Sequence, residues 1–398
     1  MSDFGRELAR LMDARGVGVR ELARQVHYNA GHISNLRSGK ARPSPELAQE
    51  LDDYLAAGGT LAALAPIVGR VVMRQASLTD ELAAVELSRR AEASDVSDGT
   101  LERLELAFDD LATAYPRTPS ADLLSAVRDH LGYTTSLLDG RATLTQRRRL
   151  LVSGGWLSLL AATCLIDLGQ ERPAMAYLRT ADQLARDTCH AEIGAWVLET
   201  RAWVAVTSGG YRQAAELSRA AQQAAPHGGS AHIQATAQEG RAVARMGDAA
   251  ATTRVLTRIE ALVSPLVMPD RPEHHYRYDP AKAEAYTATT LAWVGDPAAE
   301  RFARDVLARL ESPADGPPRH RRAATARLDL ALALVASDKP DEAAAMTMQA
   351  VLSGRIVPSN YWRASEVIGA VAARGVPEAR ELAEAYRAEF GEQPNALT

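Results

Sequence analysis

Between residues 15 and 42 stand six basic side chains, Arg15, Arg20, Arg24, Arg37, Lys40 and Arg42, against one acid, Glu21. That is a net charge of +5 on a short stretch of a chain whose formal net charge is −5. Cations at this density release counterions from a phosphate backbone, which gives affinity without sequence information. Sequence information needs a side chain that matches a base edge. Asn35 suits this best, because its amide can bond bidentately to adenine. Plainer roles stay open: Arg20 and Arg24 as solvated helix surface, His32 as a cap partner, Arg37 as the ion-pair partner of Asp13. The acidic balance of the whole chain argues against a protein that coats nucleic acid over its entire surface.

These residues must be held by short helices. Val19, Leu22, Ala23 and Val26 recur at i, i+3, i+4 and i+7, the stripe of a two-turn helix, interrupted by His27 and Tyr28. Asn29 can cap a second helix by accepting a first-turn N–H. That helix should bury Ile33 and Leu36 and stop at Gly39, with Pro43 soon after. Phe4, Leu8, Leu11 and Met12 form a stripe before the pair, and Leu47, Leu51, Tyr54 and Leu55 one after it. The later helix also carries Glu46, Glu50, Asp52 and Asp53 and is expected to turn them away from the basic side.

ELARQV, the N-capped HISNL and SGKARPSPELAQEL, in that order, resemble the XRE (lambda-repressor-like) helix-turn-helix family from about Asp3 to Ala57. The resemblance implies that Ala30, Gly31 and Asn35 read base edges with His32 beside them, and that Lys40 and Arg42 grip phosphates. Arg20, Asn29 and Arg37 complete the expected DNA-contact set. Val19 stands where the family usually has Gln and Gly18 where it usually has a Ser or Thr cap. Met12 and Arg37 replace its usual buried Arg and Glu pair.

At 398 residues the chain should hold two or three units: a DNA-binding head over 1–57, a connector over 58–76, helical pairs over 77–150 and a repeat array over 151–392. Cys164 and Cys189 make no disulfide framework at this length and are expected to be buried thiols in a reducing cytosol. The opening residues are amphipathic and charged, unlike a signal peptide. Leu150 to Ile166, seventeen uncharged residues, reaches the lower limit of a membrane span, but Ser153, Gly154, Gly155 and Ser158 suit a helix buried in an array. No membrane association is expected.

In the second half turn signals recur at Gly169, Gly209-Gly210, Gly247-Asp248, Gly295-Asp296, Asp338-Lys339 and Gly375, with a helical stripe on each side. Such a period means stacked helix pairs. The unit from Ala195 to Pro226 resembles the tetratricopeptide motif, with Ala202, Tyr211, Ala214, Ala221 and Pro226 in place. Other units keep small residues at Ala162, Ala174 and Ala181, at Gly240, and at Ala331, Ala343 and Ala350. The fold class expected is therefore all-α, a lambda-repressor-like bundle followed by a tetratricopeptide-like solenoid.

In that motif the first helix of each pair lines the groove. Aligned on the turns, Trp156, Trp196 and Trp362 fall at position 2, Trp203 at 9 and Trp293 at 13, accompanied by Glu199, Gln234, Arg241 and Arg245. An aromatic wall with a few convergent polar groups is what a ligand site needs; a two-residue shift of register would instead move three of the tryptophans into the core. The sequence has no P-loop, GxSxG, HExxH or CxxC, and neither an enzyme, a metal nor a cofactor is expected. His274 and His275, with Tyr276, Tyr278 and Asp279 after Pro269 and Pro272, read as a loop packed on the array rather than a metal site. Arg319, His320, Arg321 and Arg322 read as a solvated helix start.

Together the halves resemble actinobacterial regulators that join an XRE head to a tetratricopeptide body, and more distantly the peptide-sensing regulators of Gram-positive bacteria. The resemblance implies a cytoplasmic homodimer that binds double-stranded operator DNA, an inverted repeat, under the control of a small molecule, peptide or protein effector. With only Asn29, Asn35, Asn360 and Asn395 present, the Asn clamps of peptide sensors are missing, which favours a small molecule or a protein segment. An adaptor or antitoxin-like interaction module, with DNA binding for autoregulation, is the competing reading.

Overall fold

The computed structural model describes residues 3–65, 81–83, 95–269, 273–312 and 319–391. Within these residues the regular structure is helical. The chain divides into two compact units, Met1–Asp80 and Glu81–Thr398.

The first unit holds α1 (Asp3–Arg15), α2 (Val19–Gln25), α3 (Ala30–Ser38), α4 (Pro45–Tyr54) and α5 (Thr60–Leu64). Their apolar stripes meet in one core: Phe4, Leu8 and Met12 from α1, Leu22 from α2, Ile33 and Leu36 from α3, and Leu47 and Leu51 from α4. Ala48 shares that face, whereas Tyr54, assigned to the stripe by spacing, is exposed. The caps follow the sequence. Asn29 accepts from the Gly31 N–H at 2.7 Å, Gly39 closes α3 in the left-handed region at φ 77°, and Ser44 accepts from the Leu47 N–H ahead of Pro45.

The stretch read as a connector begins instead with α5, whose Leu61 is fully buried in the same core. Asp52, expected to face outward, is buried and caps this helix, accepting from the N–H groups of Gly59, Leu61 and Ala62 at 2.6, 2.7 and 3.1 Å. Burial works against its charge, but the three backbone donors outweigh it and hold the carboxyl below its ordinary range. Residues 66–76 of the connector, 77–80 and 84–94 of the stretch after it, Pro272 and Asn395 lie outside the described residues.

In the second unit α6 (Asp98–Ala114) and α7 (Ser120–Leu138) precede six helix pairs. These are α8 (Leu144–Asp167) with α9 (Glu171–Asp187), α10 (Ala191–Thr207) with α11 (Tyr211–Ala224), and α12 (Ser230–Arg245) with α13 (Ala249–Val263). There follow α14 (Pro280–Trp293) with α15 (Ala298–Glu311), α16 (His320–Ala336) with α17 (Pro340–Leu352), and α18 (Tyr361–Ala373) with α19 (Ala379–Phe390). Each pair turns on a residue in the left-handed region, Gly169, Gly209, Gly247, Gly295, Asp338 and Gly375. The small residues sit where helices cross most closely. Ala162, Ala174, Ala181, Ala202, Ala214, Ala221, Ala331, Ala343 and Ala350 are fully buried, and a Cβ on Gly240 would lie 3.1 Å from Val255 Cγ1.

The apolar α8 is long and apolar enough to cross a membrane, yet 78% of its most apolar window is buried inside the unit. A Thr143 and Gln146 capping box fixes its start. Its last residue, Asp167, joins the beginning of the unit to its end. It accepts from Tyr115 Oη at 2.6 Å and Ser359 Oγ at 2.7 Å, and pairs with Arg321.

Candidate nucleic-acid interface and inner cavity

On α3 the core takes Ile33 and Leu36, so helical geometry turns the opposite face outward. Gly31, Ser34, Asn35 and Ser38 are exposed there. Ala30, His32 and Arg37 are half-buried at its margins. His32 stacks on Tyr28 with ring centroids 5.8 Å apart. Arg37 donates to Asp13 at 3.0 Å, so the plainer of its two readings is the one the geometry shows. Arg20, Arg24, Lys40 and Arg42 are exposed around this face. Ser34 and Ser38 were not singled out from sequence, although their i+3 and i+7 spacing from Gly31 was the available signal. A further constraint is Gly5, where α1 passes α3 so closely that a Cβ would come within 2.8 Å of the Leu36 carbonyl oxygen.

In the second unit the first helices of successive pairs surround a cavity of about 240 Å³. Trp196, Glu199 and Trp203 of α10 and Gln234 and Arg241 of α12 line it, faced by Lys282 and Tyr286 of α14 and Arg363 of α18. Of the nine residues assigned to the groove, five meet here. The other four do not line it. Trp156 stacks on Phe108 at 5.3 Å and lies tilted against Tyr276 at 5.4 Å. Arg245 lies over Trp293, donates to Tyr211 Oη and pairs with Glu366. Trp362 tilts against Trp293 and lines a second cavity with Met175, Tyr361 and Tyr386. The tryptophans also differ in burial: Trp196 is 1% exposed, a core residue that reaches the wall, and Trp203 is half-buried.

Two further stretches build the wall. The segment 273–279 enters between the helices: the His275 N–H donates to the Ala112 carbonyl at 3.0 Å, and Tyr276 Oη bonds Thr163 at 2.9 Å. Lys282 Nζ holds it from beneath, donating to the carbonyls of His274, His275 and Arg277. Burial keeps His275 neutral, well below its ordinary pKa, and Lys282 falls to about 8 for the same reason. The expectation of a packed loop agrees with this. In the basic run His320 is exposed, but the three arginines are not solvated. Arg321 pairs with Asp167, and Arg319 and Arg322 both pair with Glu273, because the start of α16 faces inward onto buried acids. Cys189 departs from expectation too, being exposed where Cys164 is buried.

Residues 3–65 match the family model described as a helix-turn-helix domain. The head is a helix-turn-helix domain. The match runs one residue past the end of α5, so α5 belongs to it. No curated protein matches the chain. Among solved structures, Bacillus thuringiensis PlcR in complex with the peptide PapR7 and DNA aligns over 98% of this chain and 93% of that chain, at 11% identity and a TM-score of 0.27. A likeness that weak carries no argument about the body. In the helix-turn-helix domain, α2 and α3 are the paired helices and α3 holds the position of the helix that enters a major groove.

Proposed function

We propose that the chain is a sequence-specific transcription regulator, a cytoplasmic homodimer whose head binds an inverted-repeat operator and whose body binds an effector that controls it. The observation that supports this most is the exposed polar face of α3, Gly31, Ser34, Asn35 and Ser38, rimmed by unburied cations on a helix-turn-helix domain. Asn35 reads a base edge, Lys40 and Arg42 grip phosphates, and Arg37 reaches the backbone only by leaving Asp13. The lined cavity of the second unit supports the effector half of the reading.

The test is binding of full-length protein to an operator recovered by selection from random DNA, measured over a salt series. Asn35→Ala should cost about 1 to 3 kcal/mol and relax one base position, while Arg42→Ala should weaken all sequences alike and lower the salt slope by about one. An Asn35→Ala protein with full affinity and unchanged preference would show that α3 does not read DNA through this face.

A further inference from the structure

We infer that the inner cavity takes a small organic carboxylate, its two oxygens seated on the Nε and Nη2 edge of Arg241 and its apolar part against Trp196 and Trp203. This rests on the reading of the body as an effector-binding module.

The ionic pairing around the cavity leaves one cation over. Asp167 pairs with Arg321, Glu273 with Arg322, and Asp329 with Arg363 at 2.9 Å. Lys282 is consumed by three carbonyls. Arg241 is 4% exposed, yet it has one hydrogen bond, from Nη1 to Gln238 at 3.2 Å. Its Nε and Nη2 find no partner among the described residues. These two nitrogens form one side of the planar guanidinium, and their parallel N–H bonds match the spacing of carboxylate oxygens. The same chain shows the fit where it is filled. Arg149 grips Glu105 with this edge, Nε at 2.8 Å and Nη2 at 2.9 Å.

Ring faces hold the Arg241 guanidinium in place, Tyr286 at 5.1 Å and Trp293 at 5.3 Å from its central carbon, so its unpaired edge is fixed before any ligand arrives. Glu199, on the same wall, makes no hydrogen bond or ion pair with Arg241. Burial pushes it up to about 7, and its Oε1 accepts from Gln234 at 2.9 Å. An unpaired buried cation is costly, and an incoming anion removes that cost. A single cation with one two-pronged edge asks for a monoanion, and the aromatic walls ask for an apolar body.

The experiment is calorimetric titration of full-length protein with three molecules of nearly one shape, indole-3-acetate, indole-3-acetamide and tryptamine, alongside thermal melts without ligand. The acid should bind roughly tenfold or more tighter than the amide and the amine. Arg241→Met should abolish that preference, and Arg241→Lys, which keeps the charge but not the fork, should lose most of it. Neither variant should melt lower than wild type. Equal binding of the three molecules, no binding of the acid at millimolar concentration, a preference that survives Arg241→Met, or a marked fall in melting temperature in both variants would each overturn the inference. Operator binding measured on the same samples separates the two readings: intact DNA binding without acid preference removes the carboxylate alone, whereas loss of specific DNA binding removes the regulator.

Discussion

Glu199 shows how far a single residue can be taken from its type. Sequence periodicity placed it on the inner face of a first helix, and that is where it lies. What periodicity did not hold is its environment, because Gln234 and Tyr286, which share one hydrogen-bonded chain with it, come from two later helix pairs. Burial raises its pKa to about 7, above the value a carboxyl has in an unfolded chain. The folded state therefore binds the extra proton, and this contribution to stability is fully present below the unfolded value and lost as pH rises through 7. Glu199→Gln, which can still accept from Gln234, should exceed wild type in stability by up to about 3 kcal/mol above pH 7 and approach it near pH 4. Urea denaturation of both proteins at the two ends of that range checks it. A difference that does not change with pH would mean that Glu199 has the same pKa in the folded and unfolded chains. Asn35, by contrast, was legible from the sequence in both position and exposure, since a two-turn helix with Ile33 and Leu36 inward leaves few orientations for it.

At the scale of elements, α1 to α4 and the caps Asn29 and Ser44 follow from local signals alone. α5 does not. Thr60 to Leu64 is one turn with glycines before it and carries no periodic stripe; what makes it a helix is Asp52, eight residues upstream of Thr60, accepting three of its terminal N–H bonds, and Leu61 filling the core. An acid in a helix rich in acids gives no sign that it is turned inward. The consequence is measurable. Residues 1–65 alone should unfold cooperatively and be monomeric, while residues 1–57 should lose about 2 to 4 kcal/mol, from the burial of one leucine and the loss of one cap. Equal stability of the two fragments by chemical denaturation would show that α5 is not part of the domain's core.

For the molecule as a whole, the repeat was the most legible feature. Six turns and nine alanines at fixed phase require close-packed helix pairs almost irrespective of other side chains. The contacts that close the second unit were not legible, because Asp167 is 154 residues from Arg321 and 192 from Ser359, and each alone is an ordinary surface type. The basic run from Arg319 to Arg322 illustrates the limit: charge density suggests water, and only the fold places buried acids opposite it. The same limit separated Trp203 on the cavity wall from Trp156, Trp293 and Trp362, whose ring partners come from distant helices. The central claim, that the exposed face of α3 directs this chain to particular DNA sequences, is tested most directly by mapping the genomic DNA bound by full-length protein beside its Asn35→Ala variant. The account predicts a shared twofold-symmetric motif, its half-sites about one or two helical turns apart, with one base position degenerate in the variant. Recovery of DNA without sequence enrichment, or an identical motif from both proteins, would contradict it.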